Sequence, residues 1–184
     1  MASSANGIPI RKLWAGDLED FRAHLLRLDE TTRRQRFGGA VSDEFLGHYA
    51  QTAFRIESVI YGAFVNGTLR ACAELRNLSE IWSPEAEAAF SVEPEWQDDG
   101  LGTRLMERIL NVAQNRSIRK LYMVCLSENQ RMRHLAEKYE ARLILDHGEL
   151  AGTLNPGFPT PSSMLEEWMD DGRGFATAMF SWGR

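Results

Sequence analysis

Between the strand-like run Ala88-Ala89-Phe90-Ser91-Val92 and an amphipathic stretch beginning near Thr103 stands Gln97-Asp98-Asp99-Gly100-Leu101-Gly102, a glycine-bearing turn. It constrains the fold more than any other feature, because a strand must hand over to a helix within a few residues. Glycine lets the backbone turn tightly and approach a ligand closely. The free N–H groups that open the helix carry partial positive charge, so an anion is favoured there. Two other glycine motifs do not fit. A P-loop requires G-x-x-x-x-G-K-[ST], and no such string occurs; a dinucleotide fingerprint needs a third glycine where Leu105 stands. A purely structural strand-to-helix turn is the remaining alternative.

The rest of the chain alternates short strands with amphipathic helices. Ile8–Trp14 reads as a strand, and Asp17–Leu28 as a helix with Leu18, Phe21, Leu25 and Leu28 at helical spacing. A second helix starts at Ser42, a suitable N-cap, with Phe45 and Tyr49 toward the core. Between these helices the basic run Arg33-Arg34-Gln35-Arg36 reads as solvated, with contact of its arginines to an acceptor carboxylate as the alternative. Ser58–Val65 and Thr68–Arg76 flank Asn66-Gly67, the dipeptide best suited to a type I′ hairpin. Glu87–Val92 is the strand that enters the glycine turn, and the helix after it buries Leu105, Ile109, Val112 and Ala113. Leu121–Leu126 is a continuous apolar run, as in a central strand buried on both faces. Ser127 and Gln130 form a capping-box pair opening the next helix. Further strands are expected at Ala141–Asp146 and Phe175–Trp182. Residues 148–174 between them read as a loop–helix insertion, with Met164, Leu165, Trp168 and Met169 on a short helix.

This order, with 184 residues, predicts one α/β domain (α+β mixed) spanning residues 1–184: a mixed sheet with helices on both faces. The formal charge of −5 argues against nucleic acid or an anionic membrane as partner, since either needs a basic surface. No apolar run approaches the roughly 20 residues of a membrane span, and the first residues have no charged stretch followed by an apolar one. A cytoplasmic protein is expected. Cys72 and Cys125 lie in strands without metal or redox spacing, and His24, His48, His134 and His147 are scattered, so no metal site is expected. The apolar side chains of the 148–174 helix suit a homodimer contact.

The motif in full, V-x-P-x-x-Q-x-x-G-x-G-T over Val92 to Thr103, resembles the acyl-CoA-binding motif of GNAT-type N-acetyltransferases, and the element order resembles that fold over nearly the whole chain. The resemblance implies a mostly antiparallel sheet with a V-shaped splay between the central strands. Acetyl-CoA would lie in that opening, its pantetheine arm between Phe90-Ser91-Val92 and Met123-Val124-Cys125. Its pyrophosphate would meet the amides of Gly100, Leu101, Gly102, Thr103 and Arg104. Gln97 takes the motif's Gln/Arg position, Asp99 stands inside the cradle, and Asn129 takes a position that often contacts pantetheine. A backbone N–H near Val92 would stabilise the oxyanion.

Two positions depart from the pattern. Asp98 and Asp99 stand where basic or neutral residues are usual, and Ala136, seven residues after Asn129, replaces the tyrosine that often protonates the thiolate. The implied activity is acetyl transfer to an amine acceptor, a small molecule or a protein amine, by direct attack in a ternary complex. A non-catalytic acyl-CoA-binding module is the alternative. Candidates for the base are Glu74 and Glu87, carboxylates within strands, of which Glu74, on the third strand near where acceptors enter in this fold, is expected to matter more. Candidates for the acid are Ser127 and Tyr139, with solvent protonation of the thiolate as the alternative. The competing reading of either carboxylate is a solvated strand face or an ion pair with Arg70 or Arg76.

Overall fold

The computed structural model describes residues 7–54, 58–78, 84–169 and 171. In chain order it forms β1 (Ile10–Lys12), α1 (Leu18–Arg27), α2 (Glu30–Phe37), α3 (Asp43–Ala53), β2 (Ser58–Val65), β3 (Thr68–Asn77) and β4 (Glu85–Val92). Then follow α4 (Leu101–Asn115), β5 (Lys120–Leu126), α5 (Gln130–Lys138), β6 (Arg142–Asp146), β7 (Glu149–Leu154) and a last helix, α6, at 161–169. The strands make one seven-stranded sheet in the order β1-β2-β3-β4-β5-β7-β6. Among the described residues β4 and β5 run parallel and the other neighbouring pairs antiparallel. The mixed, mostly antiparallel sheet expected from the sequence is the one observed.

Several elements follow directly from local chemistry. Asn66 and Gly67 both take positive φ, 50° and 77°, the requirement of a two-residue hairpin turn whose twist matches its strands. The Ser42 hydroxyl accepts from the Phe45 N–H and starts α3. The helix after the glycine turn starts two residues before Thr103, with Gly100 in the left-handed region as its N-cap.

The sheet separates two cores. Beneath α4 and α5, Leu105, Met106, Ile109 and Val112 pack on Val59, Tyr61, Ala73, Leu75 and Ala88. On the other face, Phe21, Leu25, Leu46 and Ala50 of α1 and α3 pack on Ile60, Leu69 and Cys72. A bulge sets part of this division. The partner of β2 jumps from Ala71 opposite Ala63 to Leu69 opposite Phe64, so Arg70 is skipped and Leu69 is turned to the α1 side. Gly62 makes room for it, since a Cβ there would lie 2.5 Å from Leu69 Cδ1.

The structure corrects the sequence reading at several points. Arg33–Arg36 is only partly solvated: it belongs to α2, capped by the Asp29 carboxylate, which accepts from the Thr32 N–H, and Arg34 is exposed while the Arg36 side chain is only 9% exposed. Phe45 is 46% exposed, and Leu46, Ala50 and Ala53 supply the buried side of α3. The N-cap of α5 is Asn129, which accepts from the Met132 N–H, rather than Ser127.

The insertion assigned to 148–174 begins later than expected. Residues 149–154 are β7, turned back from β6 by His147 and Gly148 and paired along β5. Its glycine hid it as a strand, yet Gly152 suits a close approach there, because a Cβ would meet Leu143 at 3.3 Å, tighter than usual, and Met123 at 3.5 Å. The strand expected at Phe175–Trp182 lies outside the described residues. Met164, Leu165 and Trp168 of α6 are exposed, as is Met169.

Candidate active site

The register of β4 and β5 creates the site. Pairing holds at Glu85–Lys120, Ala86–Leu121 and Glu87–Tyr122, then stops, although β4 continues to Val92 and β5 to Leu126. The strands diverge into a V, and Val124, expected to be buried, is 45% exposed on the opened wall. A cleft of about 340 Å³ fills the V. Backbone groups along its two edges have no ladder partner across the gap, so a ligand carrying amides can supply one.

The glycine turn forms the mouth of this cleft. Gly100 (φ 83°) ends the turn, and α4 begins with no side-chain cap on its free N–H groups. Among the described residues an added Cβ at Gly102 would meet no atom within 4 Å, and Gly102 lines the cleft. A fifteen-residue helix thus presents its positive end, uncapped, to whatever anion enters. Asp98 does not oppose this freely. Its carboxylate accepts two hydrogen bonds from Arg131, at 2.9 and 3.0 Å, which also lower its pKa. Arg131 and Lys138 add cationic groups to the lining.

The site residues read from the sequence fall into three groups. Phe90, Ser91, Val92, Gln97, Gly100, Leu101, Gly102, Thr103, Asn129 and Glu87 all line the cleft. Gln97 is held by its own contacts, its Nε2 donating to the Val92 carbonyl at 2.9 Å, and Asn129 is both cap and cleft wall. Asp99, Arg104, Ser127 and Tyr139 lie outside the lining. Arg104 donates to the Ile8 carbonyl at 2.9 Å, Ser127 is exposed beside the Gly148 carbonyl, and the Tyr139 hydroxyl donates to the Thr103 carbonyl at 3.3 Å. Burial, with Glu107 nearby, pushes that phenol up to about 12. Glu74 forms the third group, beneath the cleft. Only 1% exposed, it accepts from Arg36 Nη2 at 2.6 Å and from the Tyr49 hydroxyl at 2.8 Å, with Arg76 Nε at 3.7 Å.

Glu87 differs from Glu74 in having no such partners: among the described residues it makes no ion pair. It is half-buried where the strands begin to diverge and faces the same side of the sheet as Ala89 and Ser91. A carboxylate so placed can accept a proton from, or pair with, a cationic group in the cleft.

Other parts of the site were not legible in the sequence. Thr32, Gln35 and Arg36 of α2 close one side of the cleft. Below them runs a buried polar chain. His24 and Ser91 are 0% and 3% exposed; His24 Nε2 lies 2.9 Å from Ser91 Oγ and Nδ1 lies 3.1 Å from Glu93 Oε1. Glu93 also accepts from Arg27 Nε at 2.9 Å and Arg70 Nη1 at 2.6 Å. Burial alone would raise the Glu93 carboxyl, but hydrogen bonds from His24, Arg27 and Arg70 outweigh it and hold it at about 2. Burial keeps His24 below its ordinary value, against the opposing pull of Glu93. In the sequence His24 is one of four scattered histidines, and nothing in its spacing points to Glu93, 69 residues away.

A mixed sheet splayed at its centre, with an uncapped helix N-terminus at the mouth of the V, defines an acyl-transfer fold of the acetyltransferase type. The chain belongs to the GNAT acetyltransferase family, whose model matches residues 23–140. It is 29% identical over 131 residues to Acetyltransferase PA5475 of Pseudomonas aeruginosa, covering 68% of this chain and 70% of that protein. Among solved structures it is similar to the GNAT domain of S. lividans PAT, with TM-score 0.68 and 20% identity over 80% of this chain and 90% of that one. It is also similar to PaiA N-acetyltransferase from Thermoplasma acidophilum, solved in complex with coenzyme A, with TM-score 0.61 and 18% identity over 81% and 99% of the two chains.

Proposed function

We propose that the protein is a cytoplasmic N-acetyltransferase that moves an acetyl group from acetyl-CoA to an amine acceptor by direct attack in a ternary complex. The observation that carries this reading is the loss of β4–β5 pairing beyond Glu87 and Tyr122, which leaves a cleft edged by backbone without a ladder partner across it and capped by the N-terminus of α4. The pantetheine arm lies along the splayed halves of β4 and β5. The pyrophosphate meets the amides opening α4, with Arg131 and Lys138 at the rim. The coenzyme A complex of the Thermoplasma relative supports the same use of this fold.

The acceptor amine enters from the α2 side, past Thr32, Gln35 and Arg36. Glu87 offers a carboxylate to it, whereas both Glu74 oxygens are engaged by Arg36 and Tyr49. A neutral amine attacks the thioester carbonyl, a backbone N–H of β4 steadies the oxyanion, and the thiolate departs. The acceptor is a small molecule or a protein amine.

Ala136, only 3% exposed, favours a second reading, a non-catalytic acyl-CoA-binding module, because no phenol stands there to protonate the thiolate. Mass-spectrometric screening of acetyl-CoA against amines, amino acids and lysine peptides separates the two. An acetylated product identifies the enzyme. Binding of acetyl-CoA without product identifies the sensor, and no binding at millimolar acetyl-CoA overturns both.

A further inference from the structure

The buried chain from Ser91 to Glu93 has a direction that its chemistry fixes. Glu93 is ionised and can only accept, so the Nδ1–H of His24 donates to it. A neutral imidazole with its proton on Nδ1 has a lone pair on Nε2, which must accept from the Ser91 hydroxyl. The Cys72 thiol, pushed up to about 12 by burial, keeps its proton and donates to Ser91 Oγ at 3.1 Å. Ser91 therefore points its hydroxyl proton at a base whose tautomer a carboxylate holds, an arrangement that can move a proton from the cleft into the fold.

Position supports a chemical use. Ser91 lines the cleft on the unpaired half of β4, one residue before the strand ends. Ala89, its neighbour on that face, offers only a methyl group toward the α2 side. The Arg27 and Arg70 guanidiniums fix Glu93 from α1 and from the bulge in β3, so the orienting carboxylate cannot swing away. Packing alone would have been met by apolar groups, and burying four polar side chains here is costly unless all are paired.

We propose that Ser91, His24 and Glu93 form a proton relay, with Ser91 as a catalytic residue and His24 and Glu93 as the groups that receive and hold the proton. The proposal rests on the acetyl-transfer reading. As the acceptor nitrogen bonds to the carbonyl carbon, its N–H breaks and a new Ser91 O–H forms. The former Ser91 O–H breaks at the same time, and an Nε2–H forms on His24. The C–S electron pair leaves with the thiolate. The imidazolium then returns its proton through Ser91 to sulfur, giving the coenzyme A thiol, so the amine's proton ends on the leaving group and all protons balance. One relay serves as base and then as acid, and the missing phenol at Ala136 is no obstacle. The imidazolium faces Glu93 directly, with Arg27 and Arg70 behind that carboxylate, Cys72 beyond Ser91, and Glu74 further along the same face.

Steady-state kinetics on the full chain test this, using acetyl-CoA and an acceptor found by the amine screen. Ser91→Ala should lower kcat by about 100-fold or more, with KM for acetyl-CoA within about threefold of wild type. Ser91→Thr, which keeps the hydroxyl, should recover most of the loss. In wild type the acid limb of kcat should fall at a pH below the ordinary histidine range, and Ser91→Ala should lose that limb. Wild-type kcat in Ser91→Ala, or a loss shared by kcat, KM and melting temperature that Ser91→Thr does not recover, overturns the relay and leaves acetyl transfer intact. A wild-type protein that acetylates no amine overturns the acetyl-transfer reading and the relay with it.

Discussion

On the α4–α5 side of the sheet, buried positions are filled by leucine, isoleucine, valine, methionine and alanine, with Tyr61 among them. On the α1–α3 side a similar apolar core shares the sheet with two buried ionic groups, one centred on Glu74 and one on Glu93. The same strands supply both faces by simple alternation, since Ala71, Ala73 and Leu75 look one way while Cys72 and Glu74 look the other. The difference teaches where this fold tolerates cost. The apolar face carries α4 rigidly to the mouth of the cleft, a task that packing alone can do. The polar face fixes charges and protons beside the open strand edge, and only paired, desolvated groups can do that.

This division can be broken by substitution, and the largest effect is expected at Glu74. Glu74→Leu leaves the Arg36 guanidinium, 9% exposed, and the Tyr49 hydroxyl without their carboxylate. A loss of about 3–5 kcal/mol in denaturant unfolding is expected. A loss below about 1 kcal/mol would mean that the polar face is held by packing after all.

Glu93 should give the next largest change, and one that depends on pH. Its folded carboxyl sits near 2, below the unfolded value of 4.5, so its contribution is full above pH 4.5 and vanishes as pH falls toward 2. At neutral pH, Glu93→Gln should be about 3 kcal/mol less stable than wild type. The gap should close between pH 4.5 and 2 in parallel acid-unfolding curves.

The cofactor side should respond in binding rather than stability. Gly102→Val places a branched side chain at the mouth of the cleft, where its Cβ meets no atom of the described residues within 4 Å. Acetyl-CoA affinity measured by calorimetry should fall about 100-fold, near 2.7 kcal/mol, with the melting temperature hardly changed. Unchanged affinity would remove the α4 N-terminus from the site. The smallest effect is expected at Asp98, whose bond to Arg131 is exposed at 71% and 55%. Asp98→Asn should alter stability by under about 0.5 kcal/mol and tighten acetyl-CoA binding a few-fold by freeing Arg131.

Local chemistry made much of the fold readable. The Asn66-Gly67 hairpin, the Ser42 cap, the stripe of α4 and the glycine turn each rest on contacts within a few residues, so sequence spacing reports them. Helix α2 was missed because its polar residues show no apolar period, its one buried face being Thr32. Strand β7 was missed because Gly152 weakens the local strand signal, while its close neighbours Leu143 and Met123 lie across the sheet and not beside it in the chain. Likewise the sequence reading favours Glu74 over Glu87 as the base, and only their partners separate Glu74, engaged by Arg36 and Tyr49, from Glu87, open to the cleft.

By itself the sequence determined the alternation of strands and helices, the glycine turn before α4 and the family whose fold these imply, because each is written in short-range pattern. Only the tertiary structure decided that β4 and β5 part after Glu87 and Tyr122, and that a bulge sends Arg70 to Glu93. It alone decided that His24 stands between Ser91 and that carboxylate. These depend on register and on side chains brought together from distant positions, which no local spacing encodes.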